Sequence, residues 1–342
     1  MNHEGEETIP EVQLTPERHK KQGKMHGPDP ISNGRSCPDG IVLPLASVEG
    51  REGEKAKEGK IDFVIPTILF FLTVFTTLVA GARMEGGLPF KNSADLLKGA
   101  PFSLALMSIL FVHEMGHYIT SKRYGVKTTP PYFIPGPWPG NFMFAIGTFG
   151  AFIRMKSPIV KKTALLDIGA AGPIAGFVVS VLVTMIGLQS SQLVKIGDVP
   201  TLLELGNPLI FTAIASILGK NPPAGFDIAL NSVAFAGWLG FFVTSLNLLP
   251  IGQLDGGHIA YALVGKKQRY VSIGMVLLLI VLGTTGWAGW LVWAILSAAL
   301  GVSHPPTMDE SAPLDFKHQL VGWASLVLFI ITLTPTPFIT GG

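Results

Sequence analysis

The sequence has little charge and almost no cysteine. Only 14% of its 342 residues are Asp, Glu, Lys or Arg, against 48% that are hydrophobic, a balance too apolar for an ordinary soluble domain. Cys37 is the single cysteine, so an internal disulfide and a thiolate-based zinc site are both excluded. It lies in a polar stretch and reads as a bystander thiol. Net charge is +2 and no basic stripe interleaved with aromatics occurs, which argues against nucleic acid as a partner. No apolar core of signal-peptide length occurs within residues 1–60, so the first span itself is expected to direct insertion. No internal repeat is apparent, and no polar segment after residue 60 is long enough for a separate soluble module.

The charges that exist are unevenly placed. Residues 1–60 hold nine Lys/Arg and eleven Asp/Glu, with one short apolar patch at 41–45. Such a segment buries too little surface to offset the entropy of ordering, and is expected to be a disordered cytoplasmic tail. Residues 61–342 form the second domain. Long apolar stretches suited to a ~30 Å hydrocarbon core fall near 62–82, 101–121, 163–188, 228–249, 270–284, 286–302 and 318–334. The expected fold is an all-α polytopic membrane protein with about six to seven transmembrane helices. Lys122, Arg123, Lys127, Arg154, Lys156, Lys161 and Lys162 crowd the connection after the second stretch, and Lys266, Lys267 and Arg269 follow the fourth. Basic connections face the cytoplasm, which puts the N-terminus inside. The expected location is a prokaryotic plasma membrane.

Two connections are long. Residues 127–158 alternate Pro/Gly clusters with β-compatible runs at 142–146 and 149–153, and predict a membrane-associated β-hairpin region between the second and third spans. Residues 189–227 contain an apolar run at 209–218 that fits an interfacial helix on the outer side.

The second stretch contains His113-Glu114-Met115-Gly116-His117. Histidines four apart stack on one helix face, so their ring nitrogens can converge on one ion. Glu114 beside them can serve as general base. With Lys122 marking the cytoplasmic edge, His113 lies ~13 Å and His117 ~7 Å below it. Ionisable groups at that depth are costly unless they bind something or face a wet cavity; a satisfied histidine pair inside a bundle is the plainer alternative. A catalytic zinc takes three protein ligands and keeps a fourth position open. Asp167, Asp255, His258, His304, His318 and some loop carboxylates are the candidates for the third. Asp255 stands out because Pro250, Gly252, Gly256 and Gly257 interrupt a helix around it, and broken backbone at membrane depth is tolerated only where it lines protein or water.

His113-Glu114-x-x-His117, followed by Asn247-x-x-Pro250 and Leu254-Asp255-Gly256, resembles the site-2 protease family of intramembrane metalloproteases. The likeness covers the body from about 62 to 334, and the order of the pieces is the family's. It implies that His113, His117 and Asp255 bind one zinc ion per chain, that Glu114 is the catalytic acid/base, and that Asn247 holds substrate or stabilises the oxyanion. The stretch Gly147-Thr148-Phe149-Gly150 is similar to the family's membrane-associated β element, which receives substrate by strand pairing. The implied substrate is a transmembrane segment of a regulatory membrane protein, often already trimmed by another protease, cut near the cytoplasmic face. PDZ-like and CBS-like modules of larger members are missing from the sequence.

Other roles stay open at this stage. Asn247 could instead glue two helices. His258 could orient Asp255, line a water path or bind metal directly. Asp167, beside Gly169 and Gly172-Pro173-x-x-Gly176, fits a helix-start or packing role, and His304 a loop. The H-x-x-x-H spacing also suits a di-iron oxidase, but too few histidines cluster for that. A transporter or metal carrier would use the same ligands without needing Glu114 as base.

Overall fold

Apolar composition decides most of the secondary structure, because backbone polar groups in lipid must be satisfied within helices or closed sheets. The computed structural model describes residues 46–136, 146–196, 204–309 and 313–339, with side chains from Phe63 onward. All packing described here lies within Glu52–Gly342. Among the described residues the α-helices are α1 (Ala46–Met84), α2 (Ala100–Arg123), α3 (Lys162–Ser190), α4 (Leu209–Ile217), α5 (Ser232–Asn247), α6 (Asp255–Val264), α7 (Gln268–Thr285), α8 (Gly289–Leu300) and α9 (Phe316–Thr332). Four helical runs among the described residues are long and apolar enough to cross a membrane: Phe63–Met84, Ser93–Arg123, Lys162–Ser190 and Asp255–Thr285. Ser232–Asn247, Gly289–Leu300 and Phe316–Thr332 are shorter apolar helices.

Three boundaries differ from the sequence expectation. The tail placed at 1–60 lies outside the described residues as far as 45, but 46–60 is the first part of α1; Glu, Lys and Ala there are strong helix formers. The stretch expected at 228–249 becomes helical only at Ser232, because the Asn231 side chain caps α5 by accepting from the Ala234 N–H at 2.8 Å. The span expected at 270–284 is the far part of a helical run that starts at Asp255.

Three two-stranded antiparallel sheets occupy the connections among the described residues. In the hairpin of the 127–158 connection, β1 (Tyr132–Pro135) pairs with β2 (Thr148–Phe152), Tyr132 opposite Phe152 and Pro135 opposite Thr148. Only the second strand overlaps the runs named from the sequence. Of the first run, 142–145 lies outside the described residues and Ile146 sits in a turn; the aromatic and β-branched Tyr132, Phe133 and Ile134 suit a pleated strand better. The hairpin leans into the helices. Phe133 packs on Phe70 and Phe111, ring centroids 5.2 and 6.4 Å apart, and the Thr76 hydroxyl donates to the Gly147 carbonyl at 2.6 Å. The other pairs are β3 (Gln192–Lys195) with β5 (Phe226–Ala229) and β4 (Glu204–Leu205) with β6 (Phe338–Ile339).

The core is the packing of α2, α3 and α5. Small residues let α3 and α5 approach closely: a Cβ at Gly187, Gly237 or Gly240 would collide with Ala234, Thr184 or Ser180 respectively. One end of the bundle is aromatic. Trp238 is fully buried and donates to the Gly206 carbonyl at 2.8 Å, while Trp290 donates to that of Pro335 at 2.7 Å, so both indoles are satisfied beside the β4–β6 pair.

The opposite end is polar. The Tyr124 hydroxyl, at the end of α2, donates to Asp167 on α3 at 2.5 Å, and His318 on α9 lies 3.4 Å from the same carboxylate. Asp315 caps α9 by accepting from the His318 N–H at 2.9 Å, which holds its carboxyl below the usual range. Asp167 is therefore a tie between three helices. Burial and the bond to Asp167 push the Tyr124 phenol up to about 12 from an ordinary 10.0. The tie is complete below pH 10.0 and is lost as pH rises through about 12. Tyr124→Phe is expected to lower stability by about 1 kcal/mol, the small end for a bond to a charged acceptor because the site is largely exposed. Thermal unfolding against pH should show wild type and variant converging in that alkaline window.

Candidate metal centre

Helix α2 brings His113, Glu114 and His117 into the interior, 5%, 5% and 6% exposed. The opposing carboxylate depends on a break between two helices. α5 ends at Asn247 and Leu248 caps it; Pro250 follows, and Gly252 adopts φ +52°, a left-handed conformation that a glycine accepts without strain. Chain then re-enters a helix with Asp255 as first residue of α6. Gly256 and Gly257 press against the carbonyls of Leu248, Leu249, Ile251 and Gly252, leaving no room for a Cβ at either position. Four sequence-local features thus aim one carboxylate back at α2.

The three groups converge. His113 Nε2 lies 3.1 Å from His117 Nε2, Asp255 Oδ2 lies 3.5 Å from the first and 3.3 Å from the second. The Nδ1–H of His117 donates to the Ile168 carbonyl at 2.7 Å, which leaves Nε2 with its lone pair turned toward the others. Asn247 donates its amide to His113 Nε2 at 3.2 Å, so that nitrogen is an acceptor as well. Two imidazole lone pairs and a carboxylate oxygen facing each other repel unless a cation sits between them. Zinc bonds of ~2.0–2.1 Å in a tetrahedron give ligand-to-ligand edges of about 3.3 Å, and the three observed edges bracket that value. The residues fit zinc. Among the described residues they are the only group of three such side chains whose ligand atoms all lie within 4.8 Å of one another.

Helix α3 supplies the floor beneath the histidines. A Cβ at Gly172 would fall on the His117 ring and one at Gly176 would press against His113 at 3.0 Å, while Gly116 of α2 rests against the Ala171 carbonyl. These glycines belong to the site; from sequence they read as packing beside Asp167. Their spacing in an apolar helix opposite H-E-x-x-H was the available signal. Asp167 and His318 sit at the polar end with Tyr124 and are not part of the His113–His117–Asp255 group. His258 follows Asp255 on α6, and its Nδ1 lies 2.7 Å from Nε2 of His304. No sequence argument paired those two.

Gly147, Thr148, Phe149 and Gly150 stand at the start of β2, which packs against α2. Gly147 (φ +78°) and Gly150 (φ +96°) are left-handed, and Thr148 bonds across to the Ile134 carbonyl at 2.8 Å. Among the described residues β2 has one strand neighbour, β1, so its second edge has no strand beside it.

Comparison with known proteins agrees with this geometry. Residues 101–282 match peptidase family M50. The chain is 29% identical over 273 residues to "Probable zinc metalloprotease EGY2, chloroplastic" of Arabidopsis thaliana, covering 79% of the chain and 48% of that protein. Against EGY1 of the same plant, also named a probable chloroplastic zinc metalloprotease, identity is 28% over 343 residues, 90% of the chain and 59% of the relative. Against "Probable zinc metallopeptidase EGY3, chloroplastic" of Arabidopsis thaliana it is 30% over 288 residues, 79% of the chain and 49% of the relative. The chain spans about half the length of the curated relatives it matches. All three are named as chloroplastic, which lends no support to a prokaryotic plasma membrane. No solved structure matches.

Proposed function

The chain belongs to peptidase family M50, and on that premise we propose that it is a zinc endopeptidase that cleaves transmembrane segments of regulatory membrane proteins near the cytoplasmic face. The observation that carries the reading is the convergence of His113, His117 and Asp255 at zinc-like spacing within apolar helices. When bound, zinc supplies a Lewis acid that acidifies water and polarises a carbonyl.

The remaining chemistry belongs to side chains. Glu114 takes a proton from the attacking water and returns it to the leaving amine, one group serving as base and then acid. Asn247, whose amide already points at the site through His113, donates to the carbonyl oxygen as charge develops there; being neutral, it adds no charge for the apolar surroundings to penalise. A helical substrate hides its carbonyls in its own hydrogen bonds. The second edge of β2 holds such a segment extended by strand pairing, at Gly147 to Gly150. The basic residues that end α2 and precede α7, among them Lys122, Arg123, Lys266 and Lys267, mark the cytoplasmic side of a multi-pass protein with its N-terminus inside.

The test is reconstitution. Purified chain in liposomes should hold one zinc and cleave a co-reconstituted transmembrane peptide; chelation should stop cleavage and added zinc restore it. Cleavage that persists after complete removal of the metal would refute the reading. Asn247→Ala is expected to lower kcat about a hundredfold with zinc content unchanged, checked by initial rates beside metal analysis.

A further inference from the structure

We propose that His304 is a positioning residue for the metal-binding carboxylate, acting through His258 to hold the first turn of α6; this rests on the zinc reading above. His304 lies in the segment between α8 and α9, far in sequence from either ligand helix. Both of its ring nitrogens are engaged. Nδ1–H donates to the Pro305 carbonyl at 2.5 Å, so Nε2 carries the lone pair and accepts from His258 Nδ1–H at 2.7 Å. The ring also stacks on Tyr261 of α6, centroids 4.6 Å apart. Burial pushes the His304 imidazole below its ordinary range, in keeping with a neutral ring that accepts.

The same segment grips the other side of Asp255. The His304 main-chain N–H donates to Gln268 Oε1 at 3.2 Å, and Gln268 donates through Nε2 to Ser272 Oγ at 2.7 Å. That hydroxyl donates to the Pro250 carbonyl at 2.9 Å and accepts from the Gly252 N–H at 3.3 Å. Gln268 and Ser272 are 1% and 0% exposed, so these bonds hold fixed groups. The Gly301 carbonyl fills the space that a side chain at Gly252 would need. Asp255 therefore sits between two anchored points, the turn at Pro250–Gly252 before it and His258 one helical turn after it, and both anchors lead to His304. His258 and Asp255 also share a contact: a Cβ on Gly169 would meet the His258 Cβ and the Asp255 carbonyl together. A ligand's supporting partners typically govern metal affinity by 10–100-fold.

The experiment uses the full chain in detergent, with zinc affinity measured by chelator competition, the visible spectrum of the cobalt-substituted protein, and thermal unfolding of the metal-free form. His304→Ala is expected to weaken zinc binding about 10–100-fold and to alter the cobalt spectrum, while metal-free unfolding stays at the wild-type temperature. His304→Gln keeps an acceptor for His258 and should recover most of the affinity. Wild-type affinity in His304→Ala would overturn the proposal. So would a loss matched by a lower metal-free unfolding temperature and not rescued by Gln. Asp255→Ala is the control for the underlying reading: it should lose zinc outright, and wild-type affinity there would sink the zinc assignment itself, a different result from failure of His304→Ala alone.

Discussion

Glu114→Gln is expected to reduce cleavage of a transmembrane substrate by at least about a hundredfold while zinc stays bound. General acid/base groups typically contribute 10²–10⁴ in rate, and here one carboxylate serves both proton transfers. Glutamine has the same shape and keeps a hydrogen-bonding end, but cannot accept and return a proton. In the proposed centre its neighbours His113 and His117 would hold the metal by ring nitrogens, with Asp255 opposite, so the ligand set survives the change. Parallel measurement of zinc content and initial rate separates the outcomes: an unchanged rate would remove Glu114 from the mechanism, and lost zinc would make it a metal-site residue. The same variant should accumulate bound substrate in membranes, which offers a route to the natural target.

Gly172→Ala should empty the metal centre by the addition of one carbon. The new Cβ would fall on the Nε2, Cδ2 and Cε1 atoms of His117. The ring cannot swing aside cheaply, because its other nitrogen is bonded to the Ile168 carbonyl at 2.7 Å. Nor can the helices part without loss, because Gly116 already rests on the Ala171 carbonyl. Overpacking of this kind costs about 1–3 kcal/mol, more than the ~1 kcal/mol that a helical Gly→Ala change ordinarily returns. Gly274 in α7 supplies the contrast, since nothing lies within 4 Å of its missing Cβ. Gly274→Ala should leave zinc content untouched and raise stability slightly; equal zinc occupancy in both variants would refute the packing argument.

The pieces legible in the sequence were those whose chemistry is local. Helical spacing of His113 and His117 follows from 3.6 residues per turn, and the break near Asp255 follows from proline and glycine, which constrain backbone wherever they occur. Apolar length located the helices, and basic residues suggested an orientation. The features that escaped are contacts between segments distant in the chain. Nothing in residues 301–309 announces a partner on α6, and His304 met His258 only once α6, α7 and the segment after α8 were packed. Gly172 and Gly176 looked like generic close packing because a glycine carries no mark of what fills its space. The position of β1 is hard to read because Tyr132, Phe133 and Ile134 make only a three-residue apolar run, with no period-2 alternation to mark a strand, directly before a Pro/Gly cluster.

The break between α5 and α6 also has a bearing on when the enzyme can first act. Synthesis delivers His113 and His117 early, but the carboxylate that completes their site emerges only after α3 and α5 are in place. Until then a zinc ion at the proposed centre would find only the two histidines of its three protein ligands, and would be held weakly. With Asp255 in place, an ion held by His113, His117 and Asp255 would join α2 to α6, so stripping the metal should loosen α6 from α2 as well as stop the proposed chemistry.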